Sequence, residues 1–142
     1  MKKLLVLFAF LGFVTQIQAQ KIQDKDVPAV VQASFSSGYP TVKNASWSKE
    51  GYDYNASFNE NKFDVIVTYS ASGNKLKTQT EIDELMLPKP SRDYVTKNYP
   101  TEKIRKAFKI IDATGRVSYK IEIKGWDLFF DSNGSFILGS AT

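Results

Sequence analysis

The sequence predicts an α+β fold: a tandem repeat of a helix followed by three or four antiparallel strands, forming one shared antiparallel sheet with two helices on one face. Three observations predict it. Val27-Pro28 is answered by Leu87-Pro88, and Tyr39-Pro40-Thr41 by Tyr99-Pro100-Thr101, both at an offset of 60. Each half opens on apolar residues at helical spacing and then changes to alternation of period 2. A helix joined to several half-apolar strands can bury the sheet only by covering its apolar side. The repeats are read over residues 24–82 and 84–142, within a single domain of residues 20–142, since halves of about 60 residues would each be marginal alone.

The elements follow in chain order. Met1-Lys2-Lys3 precedes the apolar run Leu4 to Val14, and a polar stretch ending in Ala19 follows. That order of charge, apolar run and small residue is a secretory leader, residues 1–19, with cleavage expected after Ala19 and Gln20 as the new N-terminus. The apolar run is far shorter than the roughly 20 residues a bilayer crossing needs. No Cys follows it to take a lipid anchor, so no stable membrane anchor is expected after cleavage.

Val27, Val30, Val31, Ser34 and Phe35 then fall on one helical face, with Asp26 as the expected N-cap and Gly38 as the expected left-handed stop. The second helix, Ser91 to Lys97, turns Tyr94 and Val95 inward, with Pro88 and Pro90 at or before its first turn. Alternation places Tyr52, Tyr54, Ala56 and Phe58 on one strand face, then Phe63, Val65, Val67 and Tyr69, then Leu76, Thr78, Thr80 and Ile82. The second half repeats this with Val117, Tyr119, Ile121 and Ile123, then Trp126, Leu128 and Phe130. One buried and one wet sheet face is the expectation. Gly73 and Asn133-Gly134 mark hairpin turns.

Composition excludes much chemistry. The chain has no Cys and no His, so it has no cysteine nucleophile, imidazole base or Ser-His dyad, and no His or Cys ligand for zinc, copper or haem. Its net charge of +4 falls by two when Lys2 and Lys3 leave with the leader. The remaining charge is interspersed, which is not the clustered positive field that nucleic acid requires. No cofactor, metal or catalytic residue is assigned, and the protein is read as not an enzyme.

Val27-Pro28 with Phe35 and Tyr39-Pro40, then Trp47, Tyr52-Asp53-Tyr54, Tyr119-Lys120-Ile121-Glu122-Ile123-Lys124-Gly125 and Phe130-Asp131-Ser132-Asn133-Gly134 carry a resemblance. The chain resembles the PepSY-like, beta-lactamase-inhibitor-like proteins exported by Bacteroidetes. The resemblance implies a tandem fold like that of the beta-lactamase inhibitor protein, a periplasmic or secreted location, and protein binding without supplied catalytic residues. The pattern departs at Pro90, early in the second helix, and at Lys109 and its neighbours, which stand where the first half has Trp47. Beta-lactamase inhibition itself is not expected, because it depends on particular interface anchors and not on fold.

Several motifs have plainer structural readings. Asp131-Ser132-Asn133-Gly134 resembles the start of a calcium loop, but its glycine comes two positions too early and no Glu closes it, so a hairpin turn is expected. The sequons at Asn44, Asn55 and Asn133 are read as chance. Asp127 with Asp131, and Asp53 with Asp64, are the candidate carboxylate pairs, read as surface charge for want of a cleft. Trp47, Tyr52, Tyr54, Phe58, Tyr119 and Trp126 form either an aromatic platform or, by their phase with Val and Ile, core. The candidate partner-binding face is the polar side of the sheet, with Ile66, Lys75, Lys77, Lys120, Lys124 and Phe129. Its expected partner is a periplasmic protein or peptide; a cell-envelope glycan or small ligand is the alternative.

Overall fold

The computed structural model describes residues 19–142. Almost all of the expected leader therefore lies outside the described residues. Strand β1 (Gln20–Ile22) leads through a 3-10 turn (Asp24–Asp26) into helix α1 (Ala29–Gly38), followed by β2 (Ser46–Glu50), β3 (Asp53–Glu60), β4 (Phe63–Tyr69) and β5 (Lys75–Ile82). A second 3-10 turn (Glu84–Met86) and helix α2 (Lys89–Asn98) precede β6 (Lys106–Asp112), β7 (Val117–Ile123), β8 (Trp126–Asp131) and β9 (Phe136–Ala141). The nine strands form one antiparallel sheet in chain order, β1 to β9.

Register assigns the faces. Phe58 pairs with Val65, Val65 with Thr80, Thr80 with Lys109, Lys109 with Tyr119 and Tyr119 with Phe130. Directly paired residues share a sheet face, so both ends of this row lie on the same side. At one end, Val31 and Phe35 of α1 pack with Trp47, Tyr54, Ala56, Phe58, Val65, Val67 and Tyr69. At the other, Leu87 and Val95 of α2 pack with Ala107, Ile121, Ile123, Leu128 and Phe130. Both helices thus cover one face. Thr78, Thr80 and Lys109, all half-buried, lie between them, and the apolar core divides into two clusters.

The helix ends differ from the expected caps. Pro28 and Pro88, not Asp26, are the N-cap residues, and Asp24–Asp26 coils into the 3-10 turn instead. A proline suits this place because the missing N–H would have no intrahelical partner. Pro90 sits within the first helical residues for the same reason. Gly38 is the last helical residue and is not left-handed; α1 ends at Tyr39 with φ −134°, and Pro40 stops its continuation. Val30, expected inward, is half-exposed on α1.

Three hairpins share one turn. In Ser70–Asn74, Asp112–Arg116 and Asp131–Ser135 the first residue's N–H donates to the fifth residue's carbonyl, and the fourth residue's N–H donates back to the first. The fourth residue is glycine each time, with φ of 86°, 83° and 84°, a region costly for side-chain-bearing residues. At Gly73 and Gly134 space adds a second demand. A Cβ there would stand 2.9 Å from Ser34 Oγ of α1 and 2.7 Å from Pro88 Cβ at the start of α2, respectively. These two turns are pressed onto the helices.

Strand β6 departs from alternation. Ala107 and Phe108 are both 2% exposed and Ile110 is 8% exposed, so the strand is buried on both faces. On the helix-free face neighbouring side chains cover one another, the Lys120 ammonium standing over the Phe108 ring. Tyr52, expected inside, instead tips the β2–β3 turn at 88% exposure.

Phe35 lies 5.3 Å from the Tyr39 ring, 5.4 Å from Trp47, 5.8 Å from Phe58 and 6.4 Å from Tyr69, centroid to centroid. Phe35→Ala should therefore cost about 3 to 5 kcal/mol, measured by urea unfolding. The β5–β6 ladder couples the two clusters, so the loss is expected within one unfolding transition. Two resolved transitions would show that each cluster stands alone.

Candidate binding face

The face away from the helices is built from four cross-strand rows. One runs Asn55, Thr68, Lys77, Asp112; the next Ile66, Gln79, Ile110, Ser118, Asp131. A third runs Glu81, Phe108, Lys120, Phe129, Leu138, and a fourth Lys106, Glu122, Asp127, Ser140. The apolar groups Ile66, Ile110, Phe108, Phe129 and Leu138 thus form a stripe within two adjoining rows.

Charges of both signs lie within and beside that stripe. The Lys106 ammonium donates to Asp64 and lies 3.6 Å from Glu81. Lys120 donates to Glu122 at 2.7 Å and lies 3.8 Å from Asp127. Its ammonium also stands 4.4 Å from the centroid of the Phe108 ring, whose face attracts a cation. The hydrogen bond from Lys106 holds the Asp64 carboxyl below the ordinary range, and the same bond raises Lys106. Burial pushes the Asp127 carboxyl up, against the attraction of Lys120. At the far end Thr68 Oγ1 donates to Asn55 Oδ1 at 2.7 Å, which satisfies two buried polar side chains.

Of the six residues expected on this face, the structure brings together Ile66, Lys77, Lys120 and Phe129, in three neighbouring rows. Ile66, Lys77 and Phe129 are half-buried. Lys120 is on the face but does not offer a free charge: it is 8% exposed and committed to Glu122 and Asp127. Lys124 lies in the β7–β8 turn beside Gly125, off the face. Lys75 is on the helical side. A bulge at Thr68/Tyr69 sets it opposite the core residue Tyr69, and an extra residue in one strand reverses the alternation there. Lys75 consequently lines an open groove of about 620 Å³ beside α1, with Ser34, Ser37, Tyr39 and Tyr69. Burial raises the Tyr69 hydroxyl to about 12.

Phe108, Ile110 and Leu138 are the face residues that alternation did not supply. β6 lacks period 2 because both its sides are buried, whereas the run Phe136-Ile137-Leu138 was a legible strand signal.

The candidate carboxylate pairs do not assemble. Asp53 pairs with Glu50 at one end of β3, while Asp64 pairs with Asn59 near the other. Six residues of strand separate the two sites, about 20 Å. Asp127 faces Lys120, and Asp131 Oδ1 accepts the N–H groups of Asn133 and Ser135, each at 2.9 Å. Asp131 is therefore a turn residue. Asp112 does the same for Thr114 and Arg116, and its bonds, led by the Thr114 hydroxyl, lower its carboxyl to about 2. Trp47, Tyr54 and Phe58 belong to the first core cluster and Tyr119 is half-buried, so the aromatic platform does not form.

A sequence profile of the family described as "Putative beta-lactamase-inhibitor-like, PepSY-like" matches residues 13–77 and 52–138. The chain belongs to this family. Crystal structures from three Bacteroides species share the fold. A "putative periplasmic" protein of Bacteroides eggerthii is 17% identical, with 81% of this chain and 88% of that one covered at TM-score 0.71. A DUF2874 family protein of Bacteroides uniformis is 20% identical, with 80% and 88% covered at TM-score 0.69. A BLIP-like protein of Bacteroides fragilis is 18% identical, with 81% and 86% covered at TM-score 0.57. Comparison with curated proteins gave no match.

Lys120→Ala should destabilise the PepSY-like fold by about 2 to 4 kcal/mol, because it leaves Glu122 and Asp127 facing each other without their cation. Lys77→Ala, on the same face, should stay within about 0.5 kcal/mol. Chemical denaturation of both variants separates them; equal stabilities would mean that the Lys120 cluster contributes nothing.

Proposed function

We infer that the protein is an exported, non-catalytic binding module that holds a protein or peptide partner in the periplasm on the helix-free face of its sheet. The observation carrying this reading is the stripe of Ile66, Phe129 and Leu138, partly exposed on a face that no described element covers and rimmed by charges already paired with one another. Partly exposed apolar groups can anchor a partner, while pre-paired charges lose little on docking. The family's inhibitor-like description supports a protein partner. The absence of His and Cys, with both carboxylate pairs apart, supports a role without catalysis.

The architecture reads as two copies of one unit in a single domain of residues 20–142. The 3-10 turns at 24–26 and 84–86 and the helices at 29–38 and 89–98 each stand 60 positions apart, which supports that reading. The periplasmic location rests on the leader pattern and on the description of the similar Bacteroides eggerthii protein. No helix among the described residues is long and apolar enough to cross a membrane. β1 begins at Gln20, so removal of residues 1–19 would leave the sheet complete. Intact-mass measurement on the protein recovered from the periplasm should give a chain beginning at Gln20, or its pyroglutamate form; an uncleaved chain in the membrane fraction would contradict export.

A cell-envelope glycan or small ligand is the second reading, favoured by the open groove beside α1, where Ser34, Ser37 and Lys75 stand with Val30, Ala33 and Tyr39.

The docking reading is tested with a partner captured by cross-linking in periplasmic extract. Phe129→Ala combined with Lys77→Glu should weaken its binding by about 2 kcal/mol or more. Val30→Ala, in the groove beside α1 on the opposite side of the sheet, should leave affinity unchanged. Unaltered affinity in the folded double variant would move the site off this face.

A further inference from the structure

The two edges of the sheet are finished differently. β1 is three residues long, carries Lys21 and runs directly toward the 3-10 turn. β9 is six residues long and pairs on one side with β8. Along its other side, no strand among the described residues takes up its backbone N–H and C=O groups. Exposed edges are ordinarily blunted by charge, proline or shortness. β9 reads Phe-Ile-Leu-Gly-Ser-Ala, and no charged side chain follows Asp131.

The strand is also apolar on both sides. Phe136 is 39% exposed, Ile137 54% and Leu138 50%, with Trp126 of β8 at 41%. Phe136 pairs with Phe130 on the helical face, and Leu138 with Phe129 on the opposite face. Two contacts hold the edge in place. Phe136 stacks on Tyr94 of α2 with centroids 4.5 Å apart and planes 6° apart, and the Trp126 ring lies against Gly139, 3.5 Å from where a Cβ would be. An ordered strand costs less entropy to dock than a frayed one.

We propose that β9 is the interface of a symmetric homodimer in which the β9 strands of two copies pair antiparallel and join two sheets into one. The occupant is a second copy for three reasons. A two-fold axis normal to the sheet at its edge sets identical strands antiparallel, the more stable pairing. An uncharged strand meets no like charge in its own copy, and it offers no side-chain charge with which to select a different partner. The association then closes, because the remaining free edges are the short, lysine-bearing β1 strands. The row Phe108, Lys120, Phe129, Leu138 would continue from one copy into the next.

The test is sedimentation velocity on the leader-processed protein from about 1 to 200 µM, a range that brackets weak dimers. Wild type should show a monomer–dimer equilibrium, and hydrogen exchange at the outward β9 amides should slow as concentration rises. Ile137→Lys with Leu138→Lys should raise the dissociation constant at least about tenfold, with the circular-dichroism spectrum unchanged. A wild type that stays monomeric, a folded double variant that dimerises as before, or open-ended growth from β9–β1 pairing would each overturn the proposal. Should the double variant not fold, wild-type exchange decides: β9 protection that does not vary with concentration overturns it.

Discussion

The β5–β6 ladder is the interaction on which the rest of the architecture depends. The apolar residues under α1 and those under α2 form separate clusters, and half-buried Thr78, Thr80 and Lys109 lie between them on the helical side. Continuity therefore rests on the backbone pairing from Lys77↔Asp112 to Ile82↔Ala107, reinforced on the other face by Lys106 reaching back to Asp64 and Glu81. With that ladder in place, eight strand pairings add up to one continuous sheet. Without it, each half would be a helix on a small sheet, near the lower limit of size for a stable core.

Covering one face with two helices leaves the other to manage its own burial. Phe108 at 2% exposure has no helix above it. The aliphatic stem and ammonium of Lys120 take that place, as long cationic side chains can, and Glu122 and Asp127 neutralise the charge so placed. The result is a face that is partly dry, internally neutralised, and fitted with Ile66, Phe129 and Leu138 as partly exposed apolar groups. Its carboxylates are engaged by lysines or by turn amides.

The hairpin turns link local sequence to this arrangement. Ser70, Asp112 and Asp131 each accept backbone N–H groups within their own turn, and each is followed three positions later by a left-handed glycine. In the turns at Gly73 and Gly134 the glycine also lets backbone approach a helix closely enough to exclude a side chain. The same residue thereby closes a strand pair and seats α1 or α2 on the sheet, so a local turn signal fixes a tertiary distance.

Sequence by itself determined the α+β class, the helices near residues 29–38 and 89–98, the strands β3, β4, β5, β7 and β8, and which side of each is apolar. These follow from periodicity, which is written residue by residue. Strand β6 escaped because a strand buried on both sides has no period, and β1 and β2 because three and five residues are too few to establish one. Only tertiary structure decided that Lys120 is buried and paired, that a bulge carries Lys75 to the helical side, that Lys124 belongs to a turn, and that Asp53 and Asp64 stand far apart. Each depends on register, which is set jointly by neighbouring strands and not by one strand alone. An ammonium's partner, unlike its strand face, cannot be read from its own neighbours along the chain.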